Sequence, residues 1–251
     1  MTKNLPQERI PMSADHPPGP PINSPLGGTA TKKKTLRWLL GVAVVVVLAV
    51  VAIMIFRDSP EETPPASESS AVNSELIVRE DSRRLDDVPQ SDVTFVEFLD
   101  FECEACGAIY PTVEDLRERY EGEVSFVIRY FPLDGHPNSR QAAHAVEAAA
   151  RQGELEAMYQ KMYETQEQWS HNEDPQDDVF RGYAEELGLD MDQWEEDYFS
   201  DEVADRVQAD FDDAVELQLQ GTPTFFVNDE QLNPESIEDL TDPLDEALEA
   251  Q

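Results

Sequence analysis

The sequence predicts an α/β fold in which a βαβ unit passes into a helical block and then returns to sheet. Three observations carry this. Val93-Thr94-Phe95-Val96-Glu97-Phe98-Leu99 is an apolar run of the kind found in strands buried on both faces. Cys103 and Cys106, the only cysteines, follow it directly at the opening of a helical pattern, and a second strand follows at Val124 to Phe131, closed by Pro132. Sheet character then reappears at Thr222-Pro223-Thr224-Phe225-Phe226-Val227, after a long stretch with helical periodicity.

The chain has 251 residues and 40% apolar composition, enough for a buried core. Its formal charge is −36, unevenly spread. Residues 1–37 hold six basic residues and two acids; beyond them stand 12 basic residues against 52 acidic, a net −40. Such a surface repels phosphate backbones, so no nucleic-acid partner is expected. Lys161 is the only lysine after residue 37, and a carboxylate-rich, lysine-poor surface suits concentrated salt, where counterions screen self-repulsion. A saline habitat is expected on that ground; a merely acidic exterior is the plainer reading.

Residues 1–37 are rich in proline and lack apolar periodicity, which predicts a disordered tail. Lys32-Lys33-Lys34 and Arg37 precede Trp38 to Phe56, nineteen residues without a charge, long enough for a helix to cross a bilayer. A cleaved signal peptide competes with this reading, but the leader is long and Arg57-Asp58-Ser59-Pro60 stands where a small-residue cleavage site is needed. The basic cluster before the span places the N-terminus in the cytoplasm and everything after Phe56 on the extracytoplasmic side of the cell membrane. Residues 57–75 read as a flexible linker, and 76–251 as the folded domain.

Within that domain Leu76-Ile77-Val78 is a possible short strand. After the cysteines, Val113, Leu116 and Tyr120 recur at helical spacing and Gly122 ends the helix. Strand, helix, strand is a βαβ unit with a parallel pair. Residues 139–220 are helical: Ser139 can cap Arg140 to Gln152, Leu155, Met158, Met162 and Tyr163 line a second helix, and Phe180 to Leu187 form a third. Val203, Val207, Phe211 and Val215 give a long helix one apolar stripe with an acidic remainder. Asn228-Asp229 reads as a turn into a short strand near Gln231-Leu232, and Pro243 fits the first turn of a terminal helix.

A Cys-x-x-Cys that leaves a buried strand and opens a helix is a redox signal more than a metal signal, since structural zinc needs four ligands and the histidines at 16, 136, 144 and 171 form no paired motif. No metal and no cofactor is expected. At the helix N-terminus Cys103 faces unpaired N–H groups and the positive end of the helix dipole, which favour thiolate; Cys106, one turn in, is shielded. Cys103 is therefore read as the nucleophile and Cys106 as the resolving thiol.

The approach Phe98-Leu99-Asp100-Phe101-Glu102-Cys103, the strand end Arg129-Tyr130-Phe131-Pro132-Leu133, the helical insertion and Gly221-Thr222-Pro223-Thr224-Phe225-Phe226-Val227 together resemble the DsbA-like thiol:disulfide oxidoreductases of the thioredoxin superfamily, particularly their membrane-tethered bacterial branch. The resemblance covers about two thirds of the chain. It implies a thioredoxin fold interrupted by a helical domain, preceded here by a disordered tail and one transmembrane helix. It also implies that Pro223 is the cis-proline facing the dithiol, with Thr222 before it in the substrate-binding loop, and that Glu97 is the buried acid that exchanges a proton with Cys106. His136, in the loop Gly135-His136-Pro137, reads as a surface-turn residue outside the site. The departure is Glu104-Ala105 between the cysteines, where relatives commonly carry proline first and oxidising members often histidine second; Glu102 and Glu104 are expected to oppose the Cys103 thiolate.

The function expected is a membrane-anchored, extracytoplasmic thiol:disulfide oxidoreductase that forms disulfides in exported cysteine-containing proteins, because the outside lacks the thiol pools that keep cysteines reduced. A cycle of that kind needs reoxidation, and the resemblance implies a quinone-linked membrane partner. A reductase or isomerase fed with electrons across the membrane is the competing chemistry. A tethered binding or chaperone module, with the dithiol as a staple, is the competing class.

Overall fold

The computed structural model describes residues 74–251. The expected tail, the spanning helix through Trp38–Phe56 and nearly all of the linker lie outside the described residues. Among the described residues no helix is long and apolar enough to cross a membrane.

The described residues build a five-stranded sheet of order β1-β3-β2-β4-β5. The strands are β1 (Arg83–Asp86), β2 (Thr94–Leu99), β3 (Ser125–Tyr130), β4 (Thr224–Val227) and β5 (Glu230–Leu232). β2 and β3 are parallel, in register from Thr94 opposite Ser125 to Leu99 opposite Tyr130. Their crossover is helix α1 (Glu104–Arg119). The remaining neighbours are antiparallel: β1 against β3, β4 against β2, and β5 against β4. Asn228 takes a positive φ of 52° in the tight β4–β5 turn, a conformation asparagine tolerates better than most residues.

Between β3 and β4 the chain forms α2 (Ser139–Ala150), α3 (Leu155–Glu164), α4 (Gln166–Trp169), α5 (Asp177–Glu186), α6 (Met191–Tyr198) and α7 (Asp201–Glu216). The terminal helix is α8 (Glu238–Glu249). Alternation along β2 decides what each face meets. Phe95 joins Phe126, Phe225, Val113 and Leu116 of α1, and Leu240 and Leu244 of α8. Leu99, on the same face, joins the insertion through Phe101, Met158, Tyr159, Met162 and Tyr163. Val96 and Phe98 point the other way, with Val127, Phe226 and Ala214 of α7.

Several expectations are corrected. The strand expected at Leu76–Val78 is a helical turn at residues 74–77, which takes in residues 74 and 75 from the end of the expected linker. Its ending carbonyls, those of Leu76 and Ile77, accept hydrogen bonds from Arg129 Nη1 at 2.7 and 2.6 Å. A cation at the carbonyl end of a turn holds it helical. The edge strand is β1 instead, secured by Arg83, which donates through Nε and Nη2 to the buried carboxylate of Glu147 on α2.

Ser139 does not cap α2. Asn138 is the cap residue, and its side chain bridges elsewhere, donating to the Asn172 carbonyl and accepting from the Gln176 N–H. Pro243 sits past the first turn of α8, which begins at Glu238. The stripe on α7 also fails at its end, since Val215 is 54% exposed while Asp210 and Asp213 are buried. Those acids turn inward because Arg129, fully buried in β3, donates to both of them. Asp210 also accepts from the backbone N–H of Tyr130 and pairs with Arg206. A buried guanidinium is tolerable only with such partners.

Candidate active site

The site grows from the end of β2. Asp100, 1% exposed, turns the chain out of the strand: its carboxylate accepts from the Glu102 N–H at 2.8 Å and the Leu133 N–H at 2.9 Å. Cys103 then takes an extended conformation (φ −71°, ψ 123°) as the residue capping α1. Its carbonyl accepts the first helical bond, from Gly107, at 3.0 Å. Both cysteines are free thiols.

Cys103 is 7% exposed and Cys106 1%, so the outer sulfur has only a narrow opening to solvent. The Cys103 thiol donates to the Thr222 carbonyl at 3.4 Å, and the Thr222–Pro223 peptide bond is cis. Cys103, Thr222 and Pro223, from distant parts of the sequence, therefore meet. Ala105 and Ile109 of α1, Pro223 and Phe225, and Leu232 of β5 line a groove alongside.

The two sulfurs are chemically unequal. Hydrogen bonding from Cys106 is the largest influence holding Cys103 down at about 5; burial opposes it, and the side chain of Thr222 with the backbone N–H groups of Cys106 and Ala105 adds to the lowering. Burial, first, and then the Cys103 bond and the charge of Glu97 push Cys106 well above the ordinary thiol range. Glu97, 3% exposed, lies on the face of β2 covered by α1 and the insertion. Burial raises its carboxyl to about 8, with further contributions from the charges of Cys103 and Glu114.

Glu102 and Glu104 have quite different surroundings. Glu102 is fully buried, and its two oxygens accept from the backbone N–H groups of Asn138 at 2.6 Å and His171 at 2.7 Å. It ties the dithiol turn to both ends of the first part of the insertion. Glu104 is well exposed and pairs with His171, Nε2 to Oε1 3.0 Å.

His136 is not a free turn residue: its Nδ1 lies 2.6 Å from Asp100 Oδ2, and its ring is 5.7 Å from that of His171. Burial disfavours its charged form, but the Asp100 bond and charge, together with Cys103 and Glu102, outweigh burial and hold it above its ordinary value. Gln166 also escaped the sequence reading. Its Nε2 donates to the carbonyls of Phe101 at 2.7 Å and Cys103 at 2.9 Å, and its amide fills the space beside Gly107. The signal that existed for it was the glycine directly after Cys106, where any side chain would displace that amide.

Residues 88–246 match the family model described as Thioredoxin. The chain belongs to the thioredoxin family. Its fold is that of the DsbA-like thiol-disulfide oxidoreductases expected from the sequence. A thioredoxin-like oxidoreductase from Silicibacter pomeroyi DSS-3 is similar at TM-score 0.60 and 29% identity, over 71% of this chain and 98% of that one. The thiol-disulfide exchange protein alpha-DsbA2 from Wolbachia pipientis shares the fold at TM-score 0.59 and 18% identity, over 71% of this chain and 97% of its own. Among curated proteins, the Na(+)/H(+) antiporter NhaA 1 of Mycobacterium sp. (strain KMS) is 36% identical over 145 residues, which is 56% of this chain and 22% of the antiporter. This thioredoxin-family chain thus spans about a fifth of the length of the curated relatives it matches.

Proposed function

We propose that the chain is a membrane-anchored thiol:disulfide oxidoreductase that uses Cys103-x-x-Cys106 on the extracytoplasmic side to form disulfides in exported proteins. The single observation that carries the chemistry is the split between the two sulfurs: Cys103, held at about 5 beside Thr222 and Pro223, and Cys106, buried and held high against Glu97. The uncharged run Trp38–Phe56 behind a basic cluster supports the anchor and the orientation.

In the donating direction a client thiolate attacks the Cys103 sulfur of the oxidised protein. The Cys103–Cys106 bond breaks, Cys106 leaves with the electron pair, and Glu97 returns a proton to it. A second client thiolate then attacks the client's own sulfur in the mixed disulfide and expels Cys103. Cys103 is a good leaving group because its thiolate is already stabilised. Reoxidation runs both steps in reverse: the Cys103 thiolate opens a disulfide on a membrane reoxidase to form a mixed disulfide, and Cys106, losing its proton to Glu97, attacks the Cys103 sulfur and expels the reoxidase thiolate. A carboxyl near 8 is suited to both duties close to neutrality. The reoxidase is quinone-linked in this proposal, and the client backbone lies in the groove beside Pro223.

Stabilised Cys103 thiolate favours the reduced form and so makes the disulfide a ready donor. The test is the reduction potential of the dithiol together with alkylation trapping of its state in growing cells. A potential well above that of thioredoxin, about −270 mV, with mainly oxidised cysteines, supports the donor. A value near −270 mV with mainly reduced cysteines assigns the protein to reduction or isomerisation instead. Full client rescue by Cys103→Ser would point to a binding module rather than an enzyme.

A further inference from the structure

The turn from β2 into α1 places a carboxylate at every second residue around the nucleophile: Asp100, Glu102 and Glu104. Glu102 takes backbone N–H groups, those of Asn138 and His171. The other two each take a histidine, His136 Nδ1 at 2.6 Å from Asp100 Oδ2 and His171 Nε2 at 3.0 Å from Glu104 Oε1. Among the described residues these are the ion pairs the three acids make, and both depend on imidazole. The two rings meet edge to face, 5.7 Å apart, so residues from two separate loops close over one turn. His171 does so from a left-handed backbone conformation, φ 57°, which histidine tolerates better than most residues.

The two pairs differ in their surroundings. The side chains of Glu104 and His171 are 75% and 43% exposed, so water and salt screen them. Those of Asp100 and His136 are 0% and 16% exposed. Asp100 also ties the pair to the nucleophile, because its backbone carbonyl accepts the N–H of Cys103 at 3.1 Å. One residue thus bonds Cys103 through its main chain and His136 through its side chain. A bare anion buried there acts on the sulfur through protein rather than through water, and it disfavours a second negative charge. The Glu102 and Leu133 N–H groups already satisfy the Asp100 oxygens as hydrogen-bond acceptors. What an imidazolium adds is the cancelling charge.

We propose that His136 is a positioning residue for the exchange reaction: as the imidazolium paired with Asp100, it offsets the buried carboxylate under the dithiol turn and so lets Cys103 stand as thiolate. This rests on the disulfide-exchange reading and names a residue that sets the poise of the same sulfur. The charged and titratable groups facing His136 are Asp100, Glu102 and Cys103 from the turn, and His171 from the loop between α4 and α5, with Glu104 of α1 behind it. Three acids and a thiol that ionises surround the ring, in keeping with a proton held above the ordinary histidine range.

The experiment uses the full chain and measures two quantities: the pH midpoint of Cys103 alkylation in the reduced protein, and the dithiol–disulfide equilibrium with glutathione near neutrality. His136→Gln keeps a donor for Asp100 and removes the positive charge. It should raise the midpoint by about one unit, a tenfold loss of thiolate stability. The glutathione equilibrium should move about tenfold toward the disulfide, a potential lower by about 30 mV. The shift should persist in molar salt, since the pair is buried. His171→Asn suits the left-handed backbone, keeps the N–H bonded to Glu102 and breaks the exposed pair; it should move the midpoint by less than about twofold in thiolate stability, and salt should erase even that. Asp100→Asn/His136→Gln removes the buried charge together with its partner and should return the midpoint to within about twofold of the parent, which a purely structural role for His136 does not predict. An unchanged midpoint in His136→Gln, a shift that salt erases, a double variant as impaired as His136→Gln, or an equal salt-resistant shift in His171→Asn overturns the inference. If the parent does not exchange with glutathione while the His136→Gln midpoint still moves, the exchange reading falls and the action of His136 on Cys103 stands.

Discussion

The thiol of Cys103 donates a hydrogen bond to the backbone carbonyl of Thr222 at 3.4 Å, across 119 residues of sequence. A sulfur so placed has a partner it must give up when it reacts, and it reacts as thiolate because Cys106 and nearby N–H groups replace that partner. Alkylation of Cys103 in the reduced protein should therefore titrate with a midpoint near 5 and be independent of pH through neutrality. A midpoint in the ordinary thiol range, about 8.5, would remove the chemical basis for the nucleophile.

Glu97 makes stability depend on pH. Its carboxyl is raised to about 8 in the folded protein, against about 4.3 in the unfolded chain. The folded state therefore holds the proton more tightly, and stability fully present below about pH 4.3 is lost as pH climbs through 8. Glu97→Gln should remove that loss, gaining on the order of a few kcal/mol at pH 8 and little at pH 4. Denaturant midpoints of both proteins at the two pH values check this. The same variant should slow ring closure by Cys106.

Arg129, Asp210 and Asp213 form a buried ionic core on the face of the sheet away from the dithiol. Asp210→Ala leaves the Nε of the buried Arg129 and the Tyr130 N–H without their acceptor and breaks one of the two ion pairs of Arg129, so it should cost about 3–5 kcal/mol in urea unfolding. Cys103 reactivity in the variant that remains folded should be unchanged.

Gly107 is required by what lies beside it. An alanine Cβ there would come to 2.1 Å from Gln166 Oε1 and 2.8 Å from its Cδ. Gly107→Ala should expel the Gln166 amide, release the Phe101 and Cys103 carbonyls, and cost about 1–3 kcal/mol. Gln166→Ala beside Gly107→Ala tests the cause: the double variant should lose little more than Gln166→Ala alone.

What the sequence made legible follows from the range of the forces involved. β2, β3, α1 and the dithiol could be read because each is local: an apolar run, a helical period, a motif at fixed spacing. Pro223, Thr222 and Glu97 came through the resemblance rather than through periodicity. α7 misled because a stripe of valines implies that everything else faces water, whereas Arg129 draws Asp210 and Asp213 inward. A hint was present, since an arginine in the middle of Ser125–Tyr130 demands carboxylates from somewhere. His136 was misjudged and the partners of Glu102 went unread for the same reason: they are side chains or backbone groups more than thirty residues away. The four-residue α4 and the eight-residue α6 were too short for a period to register.

Glu102 satisfies the N–H of Asn138 and that of His171 from one carboxylate. A minimal version made by excising the helices between β3 and β4 would leave that carboxylate with neither partner beside the dithiol turn. Thermal melting of the dithiol-bearing sheet and of the inserted helices should accordingly merge into one calorimetric transition, and anyone trimming this scaffold for use as a compact reagent would have to neutralise residue 102 first.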